Sequence, residues 1–178
     1  HHQDISQIDN SLKTNIFHYD LLLQNIDRTL NNTNMLYDAQ NKLYCFDYTS
    51  SMTMRFVLKN NTYKYSEIFG KQIKKHPFYQ DDISIDEFRT KIESISPETI
   101  LDIIQEIPDT WLLQLNQEND CHQIVNVIWN NLVERINQVG LIGENLQSLK
   151  SIKLETEEEL KTRVSKNKQL FIDKFGKL

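Results

Sequence analysis

Between Asn25 and Asp47 the chain reads Asn-Ile-Asp-Arg-Thr-Leu-Asn-Asn-Thr-Asn-Met-Leu-Tyr-Asp-Ala-Gln-Asn-Lys-Leu-Tyr-Cys-Phe-Asp. Asp27 is followed five residues later by Asn32, and Asp47 stands at the end of an apolar run. These types in this order suit phosphoryl transfer. A carboxylate at Asp27 would orient an attacking hydroxyl and accept its proton. Asn32 and Asp47 offer hard oxygen ligands to a magnesium ion that offsets charge on the transferring phosphates. Asn31 and Asn34 carry the same amide, so the choice of Asn32 rests on spacing alone.

The flanking sequence says what must position these groups. Ile16, Phe17, Tyr19, Leu22, Leu23 and Ile26 lie at helical spacing, which predicts a buried helix over 16–26 after a polar lead-in at 1–15. The Asn31-Asn32-Thr33-Asn34 cluster favours side-chain to backbone bonds and predicts an ordered loop. Met35-Leu36-Tyr37 and Leu43-Tyr44-Cys45-Phe46 then read as the arms of a hairpin, with Asp47 where the second arm ends. Ser50 to Asn61 mixes both periods and reads as irregular.

Further along, a helix is expected from Tyr63 to about Lys74, stopped by His76-Pro77. Ser84 and Ser96 read as caps for helices through Ile95 and Ile107, the second with Pro97 at its first position. Pro108 or Asp109 opens a short helix holding Trp111, Leu112 and Leu115. Adjacent rows at Ile124, Ile128, Leu132, Ile136 and Val125, Trp129, Val133 predict a helix over 120–139, with Gly140 as its stop. A polar stretch from Gly143 to Ser151 reads as a flexible connection. The final helix, over about 155–175, has Glu157, Glu158 and Glu159 early and Lys166, Lys168 and Lys174 late, an order that complements the helix dipole. Its apolar stripe is Leu160, Val164, Phe171 and Phe175, and its charge run reads first as a solvated face and second as a docking surface.

Hydrophobic residues at 39% and charged residues at 25% are a globular composition, and 4 glycines with 3 prolines in 178 residues favour long helices. The net charge of -5, with basic residues interleaved among acids, disfavours nucleic-acid binding. Cys45 and Cys121 lie far apart without ligand-spaced histidines, so neither a disulfide framework nor zinc is indicated and a cytoplasmic setting is expected. The longest apolar runs, such as Leu21-Leu22-Leu23, are too short to span a membrane. His1-His2 reads as a tag remnant, and the sequons at Asn31 and Asn60 carry no weight in a cytoplasmic chain. Plain structural readings attach to other residues: Arg28 as a local ion pair, His18 as packed, Trp111 and Trp129 as core anchors, and Cys45 as buried.

The run Asn25-Ile26-Asp27-Arg28-Thr29, then Asn32, Asn34-Met35-Leu36, Leu43-Tyr44 and Phe46-Asp47-Tyr48 resembles the catalytic loop and metal-binding strand of the HipA-like kinase family, within the protein-kinase-like fold. Ile107-Pro108-Asp109-Thr110-Trp111-Leu112 resembles a helix start in the C-terminal lobe of the same group, so the resemblance spans about 16–139. It implies a mainly α fold with a small β-hairpin and a kinase-like C-terminal lobe over 16–142, and the residues beyond read on their own as a polar connection and C-terminal amphipathic helix over 143–178. It assigns Asp27 as catalytic base and Asn32 and Asp47 as magnesium ligands in an ATP-dependent phosphotransferase.

The chain departs from ordinary protein kinases, with Asn25-Ile26 where they have His-Arg and Tyr48-Thr49 where they have Phe-Gly. Only 26 residues precede Asp27, with no glycine and Lys13 the sole lysine among them, so the resemblance implies that the N-terminal lobe is absent from this chain. The alternative is a kinase-lobe-derived module that binds a protein partner without transferring phosphate.

Overall fold

The computed structural model describes residues 5–38, 40, 42–48, 51, 64–115 and 120–176. The lead-in and tag residues at 1–4, most of the irregular segment at 50–61, and the expected helix start at Tyr63 fall outside the described residues.

The first helix, α1 (Asn10–Leu23), begins earlier than the apolar spacing predicts. Asp9 caps it by accepting the N–H groups of Ser11 and Leu12, so Asn10 to Asn15 form polar first turns rather than a lead-in. The helix buries Ile16, Phe17, Leu21 and Leu22. It ends at Gln24, which adopts a left-handed φ of 52°. Strands β1 (Met35–Tyr37) and β2 (Leu43–Cys45) form the hairpin that the two apolar runs predict, pairing antiparallel with Met35 opposite Cys45. Cys45 is half-buried rather than buried: with Leu43 it lies on the face of β2 that rests against the rim of the core, while Tyr44 between them faces solvent.

The helix expected over 63–74 contracts to α2 (Gly70–Ile73). The backbone before it is bonded elsewhere. Arg135 and Gln24 donate to the carbonyl of Glu67, Asn145 donates to that of Ser66, and the Glu67 carboxylate accepts the N–H groups of Ile68 and Phe69. Those bonds replace the helical ones, and Phe69 at φ 49° breaks the turn.

The Ser84 and Ser96 caps are in place. Ser84 accepts from Glu87 N–H at the head of α3 (Ile85–Glu93), and Ser96 from Thr99 N–H at the head of α4 (Pro97–Gln105). Next come α5 (Asp109–Leu115) and α6 (Cys121–Asn137), the latter opened by a capping box between Asp120 and Gln123.

Gly140 does not stop a helix: it lies in α7 (Val139–Ser148), which follows α6 after Gln138. The stretch from Gly143 to Ser151 is likewise helical, through α7 and a 3-10 turn at Leu149–Ser151, rather than a flexible connection. Burial explains both differences. Val139, Ile142, Leu146 and Leu149 enter the main core with Phe17, Leu21, Ile73 and Phe88. Gly143 faces α3 so closely that a Cβ there would come within 2.6 Å of Ile85 Cγ2.

A second cluster joins Ile100, Ile104, Leu112, Ile124 and Ile128, and Ile95 and Ile136 touch both clusters. Trp129 is half-buried against the second cluster and donates its indole N–H to Pro97 O at 3.1 Å. Trp111 is not a core anchor: it is 64% exposed, because Leu112 is the residue of α5 that points inward. The last helix, α8 (Glu157–Phe175), keeps Leu160 and Val164 at 42% and 57% exposed, so this part of the stripe is unburied. Among the described residues no helix is long and apolar enough to cross a membrane.

Candidate functional site

The loop that follows α1 is built on a buried acid that the sequence reading passed over. Asp20 lies on the core face of α1 and is fully buried. It accepts Arg28 Nε at 2.5 Å, Asn25 Nδ2 at 3.0 Å and His76 Nε2 at 2.9 Å. Arg28 Nη1 donates across the loop to Thr33 O (2.7 Å) and Asn34 O (2.8 Å), while Nη2 donates to Asp20 Oδ1 at 3.4 Å. Arg28 is therefore a local ion pair, as its plain reading held, and it closes the 25–34 segment into a ring around its guanidinium.

Electrostatics follow from these contacts. Burial alone would raise the Asp20 carboxyl, but the bonds from His76, Arg28 and Asn25 outweigh it and hold the group below the usual carboxylate range. His76 is pushed down, chiefly by burial. Its Nδ1 accepts the N–H of Phe78 at 3.1 Å, so a neutral ring carries its proton on Nε2 and donates it to Asp20.

Asp27 stands half-buried on the outer side of this ring. Its Oδ2 accepts Asn32 Nδ2 at 3.0 Å and Asn34 Nδ2 at 3.3 Å, and its N–H reaches Asn25 Oδ1 at 3.4 Å. A bridge between Thr29 and Asn32 tightens the turn between them. The hairpin brings its second arm to the same place, since Phe46 N–H donates to Asn34 O at 3.0 Å. Asp47 follows directly at φ 56°. Tyr48 sets its ring 5.3 Å from the Arg28 guanidinium and edge-on to Tyr19, and burial pushes its phenol up. The Asp47 end of the hairpin is thus tied to α1 through an aromatic contact.

The geometry unites Asp27 with Asn32 directly and brings the Asp47 backbone alongside through Asn34. Two clefts, of about 100 and 240 Å³, lie beside Lys13 and Phe78 at the other end of α1 and contain none of these residues. Among the described residues no group of three or more His, Cys, Asp or Glu side chains could hold a metal. Amides would have to contribute.

Residues 1–140 match the HipA-like kinase family, more than half of the chain. The chain belongs to that family. No curated protein and no solved structure matches it. For a HipA-like kinase the resemblance drawn from Asp27 to Tyr48 falls inside the matched span, whereas α8 lies beyond it. The Asp20, Asn25 and His76 partners were missed because they join residues up to 56 positions apart. One signal was present: Asp20 interrupts the apolar run from Ile16 to Leu23 on a helix face that has to be buried.

Proposed function

We propose that this chain carries the catalytic-loop face of an ATP- and magnesium-dependent kinase that transfers a phosphoryl group to a hydroxyl. The observation that carries this reading is the double amide grip on Asp27 Oδ2 from Asn32 and Asn34, on a loop fixed from behind by Asp20 and Arg28. Such a grip orients a carboxylate, and its other oxygen would accept the proton of an acceptor hydroxyl. As that proton leaves, the hydroxyl oxygen forms its bond to the terminal phosphorus and the bond to the leaving ADP oxygen breaks with its electron pair.

The donor set fits a hard divalent ion: carboxylate and amide oxygens on Asp27, Asn32 and Asp47, with no thiolate or imidazole among them. When bound, magnesium supplies charge neutralisation at the phosphates. Asn32 and Asp47 would hold it, the nucleotide phosphates would be held by a partner lobe, and the setting would be cytoplasmic. The test is ADP formation from ATP and magnesium by the intact protein: Asp27→Asn and Asp47→Asn should each lower the rate by at least ~100-fold. Retention of rate in both variants rejects the assigned roles.

A second reading, a protein-docking module without transfer, draws on α8, where Leu160 and Val164 are exposed. A protein that shows no ADP formation yet loses a partner on Leu160→Asp would favour it.

A further inference from the structure

Helix α8 carries apolar residues in the open. Every residue from Glu158 to Leu170 is exposed, Leu160 by 42% and Val164 and Leu170 by 57%. A helix of 19 residues draws most of its stability from packing an apolar face, and the described residues leave this one uncovered.

The order of the stripe is self-complementary. Leu160, Val164, Phe171 and Phe175 follow one another at intervals of four, seven and four residues, a spacing that reads the same in both chain directions. A two-fold axis between Asn167 and Lys168 therefore sets position 160 of one copy opposite position 175 of another, and 164 opposite 171. Each pairing puts an aliphatic residue against an aromatic one. Asn167 falls beside the axis, where two copies of its amide can hydrogen-bond and fix the register, as a single polar residue does in an apolar seam.

Charge supplies an independent observation. Residues 155–165 hold four glutamates against Lys161 and Arg163, a net of -2, whereas residues 166–175 hold Lys166, Lys168 and Lys174 against Asp173, a net of +2. A parallel pair would set like halves side by side. An antiparallel pair lays each acidic half along the basic half of its partner and opposes the two helix dipoles. An unrelated partner would have to carry the matching bipolar pattern, but a second copy supplies it by symmetry, as an isologous contact requires.

We infer that α8 is a self-association helix, through which two copies of this chain pair antiparallel about an axis beside Asn167. This goes beyond the phosphoryl-transfer reading, because α8 holds none of Asp27, Asn32 and Asp47, and it commits the face left open by the docking reading to a second copy.

The test is sedimentation equilibrium of the intact protein from about 1 to 200 µM, over which the mass should rise from 21.1 kDa toward twice that value. Leu160→Asp and Val164→Asp should each weaken the dimer at least about tenfold, with circular dichroism showing that the rest of the chain still unfolds at an unchanged temperature. Glu157→Lys, Glu158→Lys and Glu159→Lys together should abolish self-association, as should Lys166→Glu, Lys168→Glu and Lys174→Glu together. Mixing those two altered chains should restore a dimer. Added salt should weaken the unaltered dimer; strengthening by salt would mean that like halves adjoin, and overturns the inference. A single-chain mass throughout, or a dimer that both aspartate variants leave intact, overturns it as well. Absence of ADP formation in the unaltered protein defeats the kinase reading and leaves this inference standing.

Discussion

The Asp20 carboxylate accepts the Arg28 Nε–H at 2.5 Å with both side chains wholly removed from solvent. Breaking such a pair from one side leaves a charge buried without its counterpart. We expect Asp20→Ala to lower unfolding free energy by about 3–5 kcal/mol, measured by urea denaturation. The paired change Asp20→Leu with Arg28→Met should recover much of that loss, because it removes both charges together. An Asp20→Ala loss below about 1 kcal/mol would mean that the pair does not fix the loop.

His18 carries a different vulnerability. It is 2% exposed between Phe17 and Phe88, and among the described residues neither ring nitrogen has a hydrogen-bond partner. Burial first, and Lys91 second, push its pKa down from 6.5 to about 4. Below 6.5 the unfolded chain takes up a proton that the folded ring refuses, so stability falls as pH drops from about 6.5 to about 4 and levels off beneath. The loss amounts to about 3 kcal/mol at most. His76, also pushed down, adds the same sign. His18→Leu should therefore flatten the stability profile in this window without abolishing its slope, as thermal unfolding across pH would show.

Arg135 is fully buried and donates to Leu21 O at 2.8 Å and Leu22 O at 2.6 Å, and also to the carbonyls of Tyr65 and Glu67. One guanidinium thereby closes the C-terminal end of α1 and fastens the segment before α2. A lysine has no planar fork with which to serve these carbonyls. Arg135→Lys should cost about 2–4 kcal/mol and raise amide hydrogen exchange across 64–69; exchange unchanged in that segment would refute the role.

Gly143 marks a close approach of α7 to α3. Because an added Cβ would lie 2.6 Å from Ile85 Cγ2, Gly143→Ala should destabilise by about 1–3 kcal/mol despite the better helix propensity of alanine. Pairing it with Ile85→Ala should relieve the clash, and a double-mutant cycle measures the coupling.

These contacts also show which parts of the fold were legible in the sequence. The Ser84 and Ser96 caps could be read because the capping oxygen and the N–H that donates to it lie three residues apart. The hairpin could be read because its two apolar runs lie within a dozen residues of each other. Gly140 misled because a glycine inside a helix and one that ends it look the same in sequence, and the 143–151 stretch misled because the α3 residue that Gly143 packs against, Ile85, is remote in the chain. The 64–69 segment has helical composition, yet Gln24, Arg135 and Asn145 take its carbonyls from remote parts of the chain. At the candidate site the residue types could be read, but the buried Asp20 and its His76 partner behind the loop could not, since they lie 56 positions apart.

The buried ring behind the loop also sorts charge by depth. Residues 20–34 hold Asp20, Asp27 and Arg28, two acids against one base, a net of -1. The base and its matching acid are interior, and His76 is held neutral beside them, so the field this loop sends into water is that of an anion. A small cation arriving from solution would meet attraction without first having to displace a resident lysine or arginine of the loop, and that attraction should weaken as salt is added.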